Sequence, residues 1–325
     1  MKIFVIGLNS FIGSSYIKYI LQNKYINKIY GCSRSKMNLD ILKDYNKKIV
    51  FYKIDLNKDI NKLIKILKII KPNIIFNFAA QSIVEASWRM PLDWFNTNLI
   101  SNIKLIEYLK NVNYLKKYIY SSTPEVYGST KNKIKENFSY FPNTPYATSK
   151  ASLDMLLKNY YDQYKFPVIL TRIANIYGPG QQVFKIIPKS IISIKKNIKI
   201  PLHGGGKSKR SFIYSDDVSE ALYLISKKAK PGNIYHISNE KKISIKDLIK
   251  TICDVMGKDF NLIVRQEKDR LGKDLIYDMS SNKIENELKW RSKVSLLKGI
   301  IKTKSWIDKN FYKIKKYKLA YVHKK

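Results

Sequence analysis

The feature that most constrains the fold is the alternation, through the first half of the chain, of short apolar runs with amphipathic stretches. Runs of this length predict buried strands, and the stretches between them have the spacing of amphipathic helices. The predicted strands are 2–6, 28–32, 49–54, 73–78, 117–122 and 168–174, and the predicted helices are 13–23, 60–70, 97–110 and 146–163. Strands joined by helices in this order predict a parallel sheet with helices on both faces.

The pattern changes beyond about residue 176. Here the predicted helices are 185–196, 217–228, 244–256 and 294–308, and the short predicted strands are 199–202, 211–214, 234–237 and 262–264. The predicted fold class is therefore α/β, a Rossmann-type doubly wound parallel sheet with a smaller C-terminal α/β substrate-binding lobe. The predicted domains are 1–175 for NAD(P) binding, 176–310 for the substrate lobe, interleaved with the first, and 311–325 as a basic, aromatic tail.

The net charge of +36 raises the question of nucleic-acid binding. Lysines are spread along the whole chain, with no arginine-rich block, and Lys, Ile, Asn and Tyr are abundant everywhere. We interpret the charge as compositional and predict no specific nucleic-acid partner. A positive field would still attract a diphosphate ligand.

Cysteine and histidine usage indicates neither a disulfide framework nor a metal site. The two cysteines, Cys32 and Cys253, are far apart, and the three histidines have no metal-ligand spacing. No run approaches the roughly 20 apolar residues of a membrane span. We expect a cytoplasmic protein without a transmembrane segment.

A glycine turn follows the first predicted strand directly. The sequence from Gly7 through Ser10, Phe11 and Ile12 to Gly13 would lead from strand to helix and present backbone N–H groups to a phosphate. Gly7 permits the turn, and Gly13 allows close packing of helix on strand. The middle glycine of the usual dinucleotide fingerprint is replaced by Ser10, which is small enough for a pyrophosphate to approach.

The ends of the second and third strands bear on the choice of nicotinamide cofactor. An acidic residue after the second strand would bind the ribose 2′-hydroxyl of NAD, and none is present there. Arg34 can instead pair with the 2′-phosphate of NADP, which slightly favours NADP over NAD. Asp55 and Leu56 can hold the adenine edge.

A Tyr–Lys pair is the strongest catalytic signal. Tyr146 and Lys150 stand at i, i+4 at the start of a predicted helix, so they share one helix face. The lysine and a cationic nicotinamide would lower the tyrosine pKa, and Tyr146 would then accept a proton from a sugar hydroxyl. Thr123, after the preceding strand, can hydrogen-bond the same hydroxyl.

With these motifs the chain resembles the extended short-chain dehydrogenase/reductases, in the nucleotide-sugar epimerase/dehydratase family. It is most similar to the dTDP-glucose and GDP-mannose 4,6-dehydratase-like enzymes. The resemblance covers residues 2–308 and rests, besides the glycine turn, on FAAQSIVEAS (78–87) with Asn98 after it, SSTPEVYG (121–128), TPYATSKASLD (144–154), RIANIYGPGQ (172–181), KIIP (185–188), KRSFIYSDDV (209–218) and DRLGKDLIYDMSSNKIENELKW (269–290).

The resemblance implies roles for individual residues. Tyr146, Lys150 and Thr123 match the family's catalytic residues, and Glu125 matches the base that removes the C5 proton in dehydratases. Ala79 and Ala80 would line the nicotinamide pocket. Positions that match substrate-binding residues are Ser82, Asn175, Lys185, Arg210 and Arg270. The resemblance also implies a homodimer formed through the helices near 97–110 and 146–163.

The implied reaction is a redox-neutral 4,6-dehydration that converts an NDP-hexose to its 4-keto-6-deoxy form. Pro124 departs from the dTDP-glucose pattern, which has an aspartate acid there; GDP-mannose 4,6-dehydratases also lack this aspartate. Alternatives on the same scaffold are an NDP-sugar 4-epimerase, a UDP-glucuronate decarboxylase or an NDP-4-ketosugar reductase. The non-enzymatic alternative is a cofactor-sensing or nucleic-acid-binding protein.

Overall fold

The computed structural model describes residues 1–37, 39–130, 132–268 and 278–323. Its strands are β1 (Ile3–Ile6), β2 (Ile29–Ser33), β3 (Ile49–Lys53), β4 (Ile74–Asn77), β5 (Lys117–Ser122), β6 (Val168–Ile173), β7 (Asn175–Tyr177), β8 (Ile200–His203), β9 (Lys209–Tyr214), β10 (Ile234–Ile237), β11 (Lys242–Ser244) and β12 (Val264–Glu267). Its helices are α1 (Phe11–Gln22), α2 (Leu39–Leu42), α3 (Ile60–Ile70), α4 (Val84–Arg89), α5 (Pro91–Phe95), α6 (Ser101–Leu109), α7 (Pro145–Tyr164), α8 (Ile186–Lys195), α9 (Ser215–Lys228), α10 (Ile245–Met256), α11 (Phe260–Ile263), α12 (Asn282–Leu288) and α13 (Leu296–Ile314).

A seven-stranded parallel sheet in the order β10-β6-β5-β4-β1-β2-β3 forms the centre of the fold. The order reverses between β1 and β4, which is the point where doubly wound sheets bind dinucleotides. This arrangement confirms the predicted Rossmann-type class. The strand β10 comes from the second half of the chain, which therefore returns to the main sheet after leaving it.

Apolar side chains fill both faces of this sheet. One core includes side chains of α1 and α9, where the Tyr16 and Phe76 ring centroids lie 4.4 Å apart. The other includes α3, α6 and α7, with Leu63 and Leu153 fully buried. Strands buried on both faces, such as β1, β4 and β6, appear in sequence as largely apolar runs, which made them recognisable.

Two smaller sheets and a third core form the remainder of the fold. The sheets have the orders β11-β9-β7 and β12-β8, and the core lies among α8, α10 and α13. Within the described ranges, no helix is long and apolar enough to cross a membrane.

The helices that carry the site begin at side-chain caps. Ser10 accepts a hydrogen bond from the Gly13 amide at the start of α1 (3.0 Å), and Thr144 accepts one from the Ala147 amide at the start of α7 (3.1 Å). Pro145 occupies the first position of α7, where its missing N–H costs nothing. These caps hold the first turns of both helices at the carboxyl edge of the main sheet.

Some local predictions were wrong. The segment predicted as strand 262–264 is helix α11 up to Ile263, and the strand begins at Val264. The predicted helix 294–308 continues to Ile314, into the predicted tail. The predicted helix 97–110 is interrupted by a π-helical turn at Asn96–Ile100. The strands β7 and β11 were not predicted, since three residues carry no recognisable period.

Candidate active site

A cavity of about 480 Å³ opens at the carboxyl ends of β4, β5 and β6. A second cavity of about 230 Å³ lies at the ends of β1, β2 and β3 and shares part of its lining with the first, including Ser10, Arg34 and Gln81. The two cavities together form a cleft along the carboxyl edge of the sheet, where the predicted cofactor residues and catalytic residues converge.

The glycine turn forms the floor of this cleft. Gly7 has φ +80°, and a Cβ on it would lie 2.6 Å from the Ala79 amide nitrogen. A Cβ on Gly13 would lie 2.5 Å from the Gly7 carbonyl oxygen. Ser10, Phe11 and Ile12 line the larger cavity, and the first N–H groups of a helix have no partner within it. This geometry fits the pyrophosphate of a dinucleotide.

The loop after β2 forms one end of the cleft. The Asn9 amide donates to Ser33 Oγ (2.8 Å), and Asn9 Nδ2 donates to the carbonyl oxygen (3.1 Å) and Oγ (3.0 Å) of Ser35. Arg34, between these two serines, lines both cavities. The residues predicted for the adenine edge and the nicotinamide pocket, Asp55, Leu56, Ala79 and Ala80, all line the smaller cavity, and Ala80 lines the larger one as well.

The predicted catalytic side chains meet in the larger cavity. Thr123 caps the single 3₁₀ turn Pro124–Tyr127, which points Glu125 into the cavity beside Tyr146. Tyr146 is 8% exposed. One short turn after β5 and the first turn of α7 therefore bring a hydroxyl, a carboxylate and a phenol together.

The tyrosine pKa differs from the sequence-based expectation. Burial and the nearby Glu125 carboxylate raise the pKa of Tyr146 well above its ordinary value, and a hydrogen bond from Thr123 only partly opposes them. The ammonium group of Lys150 is bonded to Tyr120 and Ser121 and is not among the causes of this shift. The lowering expected from Lys150 together with a cationic nicotinamide stays a prediction for the cofactor-bound enzyme.

Lys150 lines the larger cavity beside Tyr146 and is 1% exposed. Its Nζ donates to the Ser121 carbonyl oxygen (2.7 Å) and to the Tyr120 hydroxyl, and it lies 4.0 Å from the Tyr120 ring centroid. Burial lowers the pKa of Lys150 to about 7, while the negative charge of Asp154 acts in the opposite direction. Lys150 therefore changes its protonation state near neutral pH.

A buried ion pair joins strand β6 to helix α7, the helix that carries Tyr146 and Lys150. Arg172 on β6 and Asp154 on α7 lie 3.1 Å apart, both side chains fully buried. Ser122 Oγ donates to the same carboxylate oxygen (2.7 Å). Burial raises the pKa of Asp154, although Arg172 counteracts this effect. Removing one partner of such a pair is far more costly than exposing a surface pair.

Asn98, in the π-helical turn before α6, links Gln81 in the cavity lining to Ser149 on helix α7 through hydrogen bonds. Its Oδ1 accepts from the Gln81 amide (2.9 Å), and its Nδ2 donates to the Gln81 carbonyl oxygen (3.0 Å) and to Ser149 Oγ (2.9 Å). Single π turns of this kind are frequent at functional sites. The sequence pattern contained Asn98 but gave no role for it.

The predicted substrate-binding residues do not all meet. Ser82, Asn175 and Lys185 line the larger cavity. Burial lowers the pKa of Lys185, while Glu125 acts to raise it, so these two groups are electrostatic neighbours. Arg210 lies on β9, does not line either cavity, and donates to the Lys209 carbonyl oxygen (2.8 Å). Arg270 lies outside the described residues.

Several lining residues were missed by sequence reasoning. Gln81, Gln181, Phe184, Tyr321 and Val322 all face the larger cavity. Gln81 and Gln181 lie inside two of the motifs quoted above, so their position in those motifs was a signal that could have identified them. Tyr321 and Val322 belong to the predicted tail, and no local pattern indicates that a tail returns to a cavity.

The chain was compared with known proteins. The model of the family described as GDP-mannose 4,6 dehydratase matches residues 4–303. The dTDP-D-glucose 4,6-dehydratase of Homo sapiens is 37% identical over 257 residues, 77% of this chain and 73% of that protein. The Escherichia coli dTDP-glucose 4,6-dehydratase is 30% identical, with 95% and 94% covered. A crystal structure of dTDP-glucose 4,6-dehydratase from Streptomyces venezuelae with NAD bound superimposes with a TM-score of 0.89 at 29% identity, covering 95% and 98% of the two chains.

Proposed function

The chain belongs to the GDP-mannose 4,6-dehydratase family of extended short-chain dehydrogenases, and on that premise we propose that it acts on a dTDP-linked hexose through Thr123, Glu125 and Tyr146. It is a nicotinamide-dependent nucleotide-sugar 4,6-dehydratase. The observation that carries the proposed residue roles is the convergence of a phenol, a carboxylate and a hydroxyl in one cavity above a dinucleotide cradle. The dTDP-linked substrate is proposed because the human and E. coli relatives carry that name.

In the proposed mechanism, Tyr146 accepts the proton of the C4 hydroxyl, which Thr123 orients through a hydrogen bond. A bound nicotinamide would take the hydride from C4 and return it to C6, so that no external oxidant is consumed. Lys150, which lines the same cavity as Tyr146, would help to hold the cofactor. The resulting 4-keto group makes the C5 proton acidic, and Glu125 removes it.

The loss of water from C6 needs a proton donor. Pro124 occupies the position where the dTDP-glucose pattern has an aspartate; it is buried and lines the cavity. We infer that Glu125 serves twice, since the proton that it takes from C5 is then available to the departing C6 hydroxyl. When the hydride adds to C6, C5 takes up one proton and Tyr146 releases the one that it holds from the C4 hydroxyl, so that the protons balance. Lys185 lines the same cavity as Glu125, and the Glu125 carboxylate favours the charged form of this lysine against the effect of burial.

The substrate and reaction can be tested by mass spectrometry. Purified protein is incubated separately with dTDP-glucose, UDP-glucose, UDP-N-acetylglucosamine, GDP-mannose and UDP-glucuronate, with NAD or NADP in catalytic amount. We expect loss of one water from dTDP-glucose without net consumption of cofactor. Water loss from another sugar would reject the dTDP assignment. Loss of carbon dioxide, or a new isomer of unchanged mass, would instead indicate a decarboxylase or an epimerase.

We also propose NADP as the preferred form of the cofactor. Support comes from Arg34, which lies between two serines tied to Asn9 and lines both cavities. A guanidinium group there suits the 2′-phosphate. The solved relatives from S. venezuelae and Bacillus anthracis have NAD bound, so the preference would be a feature of this chain.

Cofactor titration tests this preference. We expect NADP to bind more tightly than NAD, and Arg34→Ala to weaken NADP binding about 10- to 100-fold while changing NAD binding little. Lys36→Ala, on the same loop, is the matched control. Equal or tighter binding of NAD by the unaltered protein would reject the proposal.

We further propose that the enzyme is a homodimer in the cytoplasm. Two exposed apolar side chains, Ile100 before α6 and Met155 on α7, support a helical interface, since α7 packs against the turn that carries Ile100. Cys32 and Cys253 are free and buried, in keeping with a reducing compartment.

A further inference from the structure

The segment of residues 315–323, which follows α13, crosses from one wall of the cleft to the other. On one side, Leu319 packs against the core formed by α8, α10 and α13. On the other, His323 Nε2 lies 2.7 Å from Asp93 Oδ2, and the His323 ring stacks on Trp94 with centroids 5.3 Å apart. The segment is therefore anchored at both ends, on elements that belong to opposite sides of the cleft.

Between these anchors, Tyr321 contacts both walls. Its ring packs edge-to-face on Phe184, before α8, with centroids 5.4 Å apart. Its hydroxyl lies 3.4 Å from Gln81 Oε1, after β4, and 3.1 Å from His323 Nδ1. Tyr321 also joins the small apolar cluster that contains Tyr146. Tyr321 thus contacts Phe184 on one side of the cleft and Gln81 on the other, and it belongs to the same apolar cluster as Tyr146.

Tyr321 lies over the part of the cleft where a dinucleotide would lie. Together with Val322 it lines the cavity that also includes Ser10, Phe11 and Ile12 of the glycine turn. Arg34 is close enough for its positive charge to lower the pKa of Tyr321, against the larger raising effect of burial. The ring is only partly buried, so it faces both the cavity and the solvent.

From this placement we propose that the 315–323 segment is a strap across the mouth of the cleft, and that Tyr321 holds the dinucleotide in place during turnover. This role builds on the dehydratase activity. A redox-neutral reaction returns to the sugar the same hydride that it removed, so the cofactor must stay bound between the two transfers. A strap anchored on both walls slows its escape without taking part in the chemistry.

The chemistry of the segment suits this role. Lys315, Lys316 and Lys318 are exposed on it and add positive charge beside a cleft that would hold a diphosphate. The segment also lies beyond residue 303, where the match to the family model ends. Tyr321 therefore lies outside the pattern that the family model describes.

Cofactor release, measured without any sugar, tests the proposal. The protein is loaded with reduced nicotinamide dinucleotide, chased with excess oxidised cofactor, and followed by the fluorescence of the bound reduced form. We expect Tyr321→Ala to raise the dissociation rate constant about tenfold, and His323→Ala to raise it by a smaller factor. Tyr317→Ala, an exposed tyrosine on the same segment, is the matched control and should leave the rate unchanged.

Two results would overturn the proposal. An unchanged rate in both Tyr321→Ala and His323→Ala would mean that the segment only packs on the surface. Slower release, or tighter binding, would mean that the segment occupies the place of the cofactor. Thermal unfolding checks that the variants fold. If Tyr321→Ala does not fold, the release rate of His323→Ala is compared with that of the unaltered protein instead. Because no sugar is present, a failure here leaves the dehydratase assignment unaffected.

Discussion

At the scale of single residues, the proposed reaction depends on separate roles for Tyr146, which accepts the proton of the C4 hydroxyl, and Glu125, which removes the C5 proton. Tyr146→Phe removes the proton acceptor for C4, so we expect both oxidation and dehydration to stop, while cofactor binding is retained. Glu125→Gln leaves that acceptor in place and removes only the C5 base. We expect dehydration to fall about 10²- to 10⁴-fold with C4 oxidation preserved.

The two variants are distinguished by near-ultraviolet absorbance and by product mass. Glu125→Gln should accumulate reduced nicotinamide without product, whereas Tyr146→Phe should not. The Glu125 carboxylate also helps to raise the pKa of Tyr146, so its removal should move the acid limb of C4 oxidation to lower pH. Normal product formation by Glu125→Gln would show that another group is the base.

Lys150 gives a prediction for stability. Its pKa is lowered to about 7 in the folded protein, from an ordinary value of 10.5, because its charge is buried. Between these two values the unfolded chain holds a proton that the folded protein has lost, so this group makes the free energy of unfolding rise with pH. The slope is at most about 1.4 kcal/mol per pH unit. Below about pH 7 the folded protein bears the full cost of the buried charge.

Chemical unfolding of Lys150→Met at several pH values measures this slope. The variant loses the bonds to Ser121 and Tyr120 at every pH, so only the pH-dependent part of the difference is diagnostic. Relative to the unaltered protein, the variant should lose stability steadily as the pH rises from 7 to 10.5. Lys158→Met, on the exposed side of the same helix, is the control. A constant difference across this range would mean that Lys150 stays charged.

At the scale of elements, the turn between β1 and α1 requires glycine at position 7 for two separate reasons. Its φ of +80° disfavours any side chain, and a Cβ would also collide with the Ala79 backbone. Gly257, at the end of α10, has φ +60° but nothing within 4 Å of a Cβ. Gly257→Ala therefore isolates the backbone strain, roughly 1–2 kcal/mol.

Gly7→Ala should add to this strain a displacement of the β4 loop that lines the cofactor cavity. We expect it to abolish measurable cofactor binding, and Gly257→Ala to lower thermal stability only. Calorimetric titration and thermal unfolding of the two variants separate these effects. If both variants bound cofactor normally, the close approach of the turn to Ala79 would not be required.

Elements buried on both faces could be predicted from the sequence, and short or long-range features could not. The strands β1 to β6 are mainly apolar over four to six residues, and the glycine turn and the Tyr146–Lys150 pair are local in sequence. The run Phe260–Ile263 fits a strand or a helix equally well over four residues, and its helical state depends on tertiary contacts. Arg210 lines neither of the two cavities, so its role in substrate binding stays a prediction of the motif alone.

The approach of Tyr321 to Gln81 joins positions 240 residues apart, which no periodicity encodes. The same holds for the Asn98 bridge, whose partners Gln81 and Ser149 lie 17 and 51 residues away. Residues that hold the proposed catalytic groups in place therefore emerged only from the folded chain, whereas the groups themselves carried a local signal.

At the scale of the whole molecule, the proposed dimer would bury two exposed apolar side chains that lie on neighbouring helical elements. Met155 is 47% exposed on α7, and Ile100 is 41% exposed on the turn before α6. A carboxylate at the centre of such a helical interface would be buried without a partner. Met155→Glu should therefore give the mass of one chain in light scattering, where the unaltered protein gives two.

Ile69→Glu, which places the same charge on an exposed apolar position of α3, is the control and should remain dimeric. A monomeric unaltered protein, or a dimeric Met155→Glu, would reject this interface.

The net charge of +36 sets the salt dependence of the same equilibrium. Two copies with this charge repel each other over the Debye length, about 10 Å at 0.1 M salt and about 30 Å at 0.01 M. Contacts between apolar helix faces gain nothing from low salt, so repulsion should dominate there. The monomer fraction should therefore grow as salt is lowered, the opposite of an interface held by ion pairs. Light scattering at the two salt concentrations distinguishes these cases, and a dimer that tightens at low salt would show that its interface depends on opposite charges rather than on Ile100 and Met155.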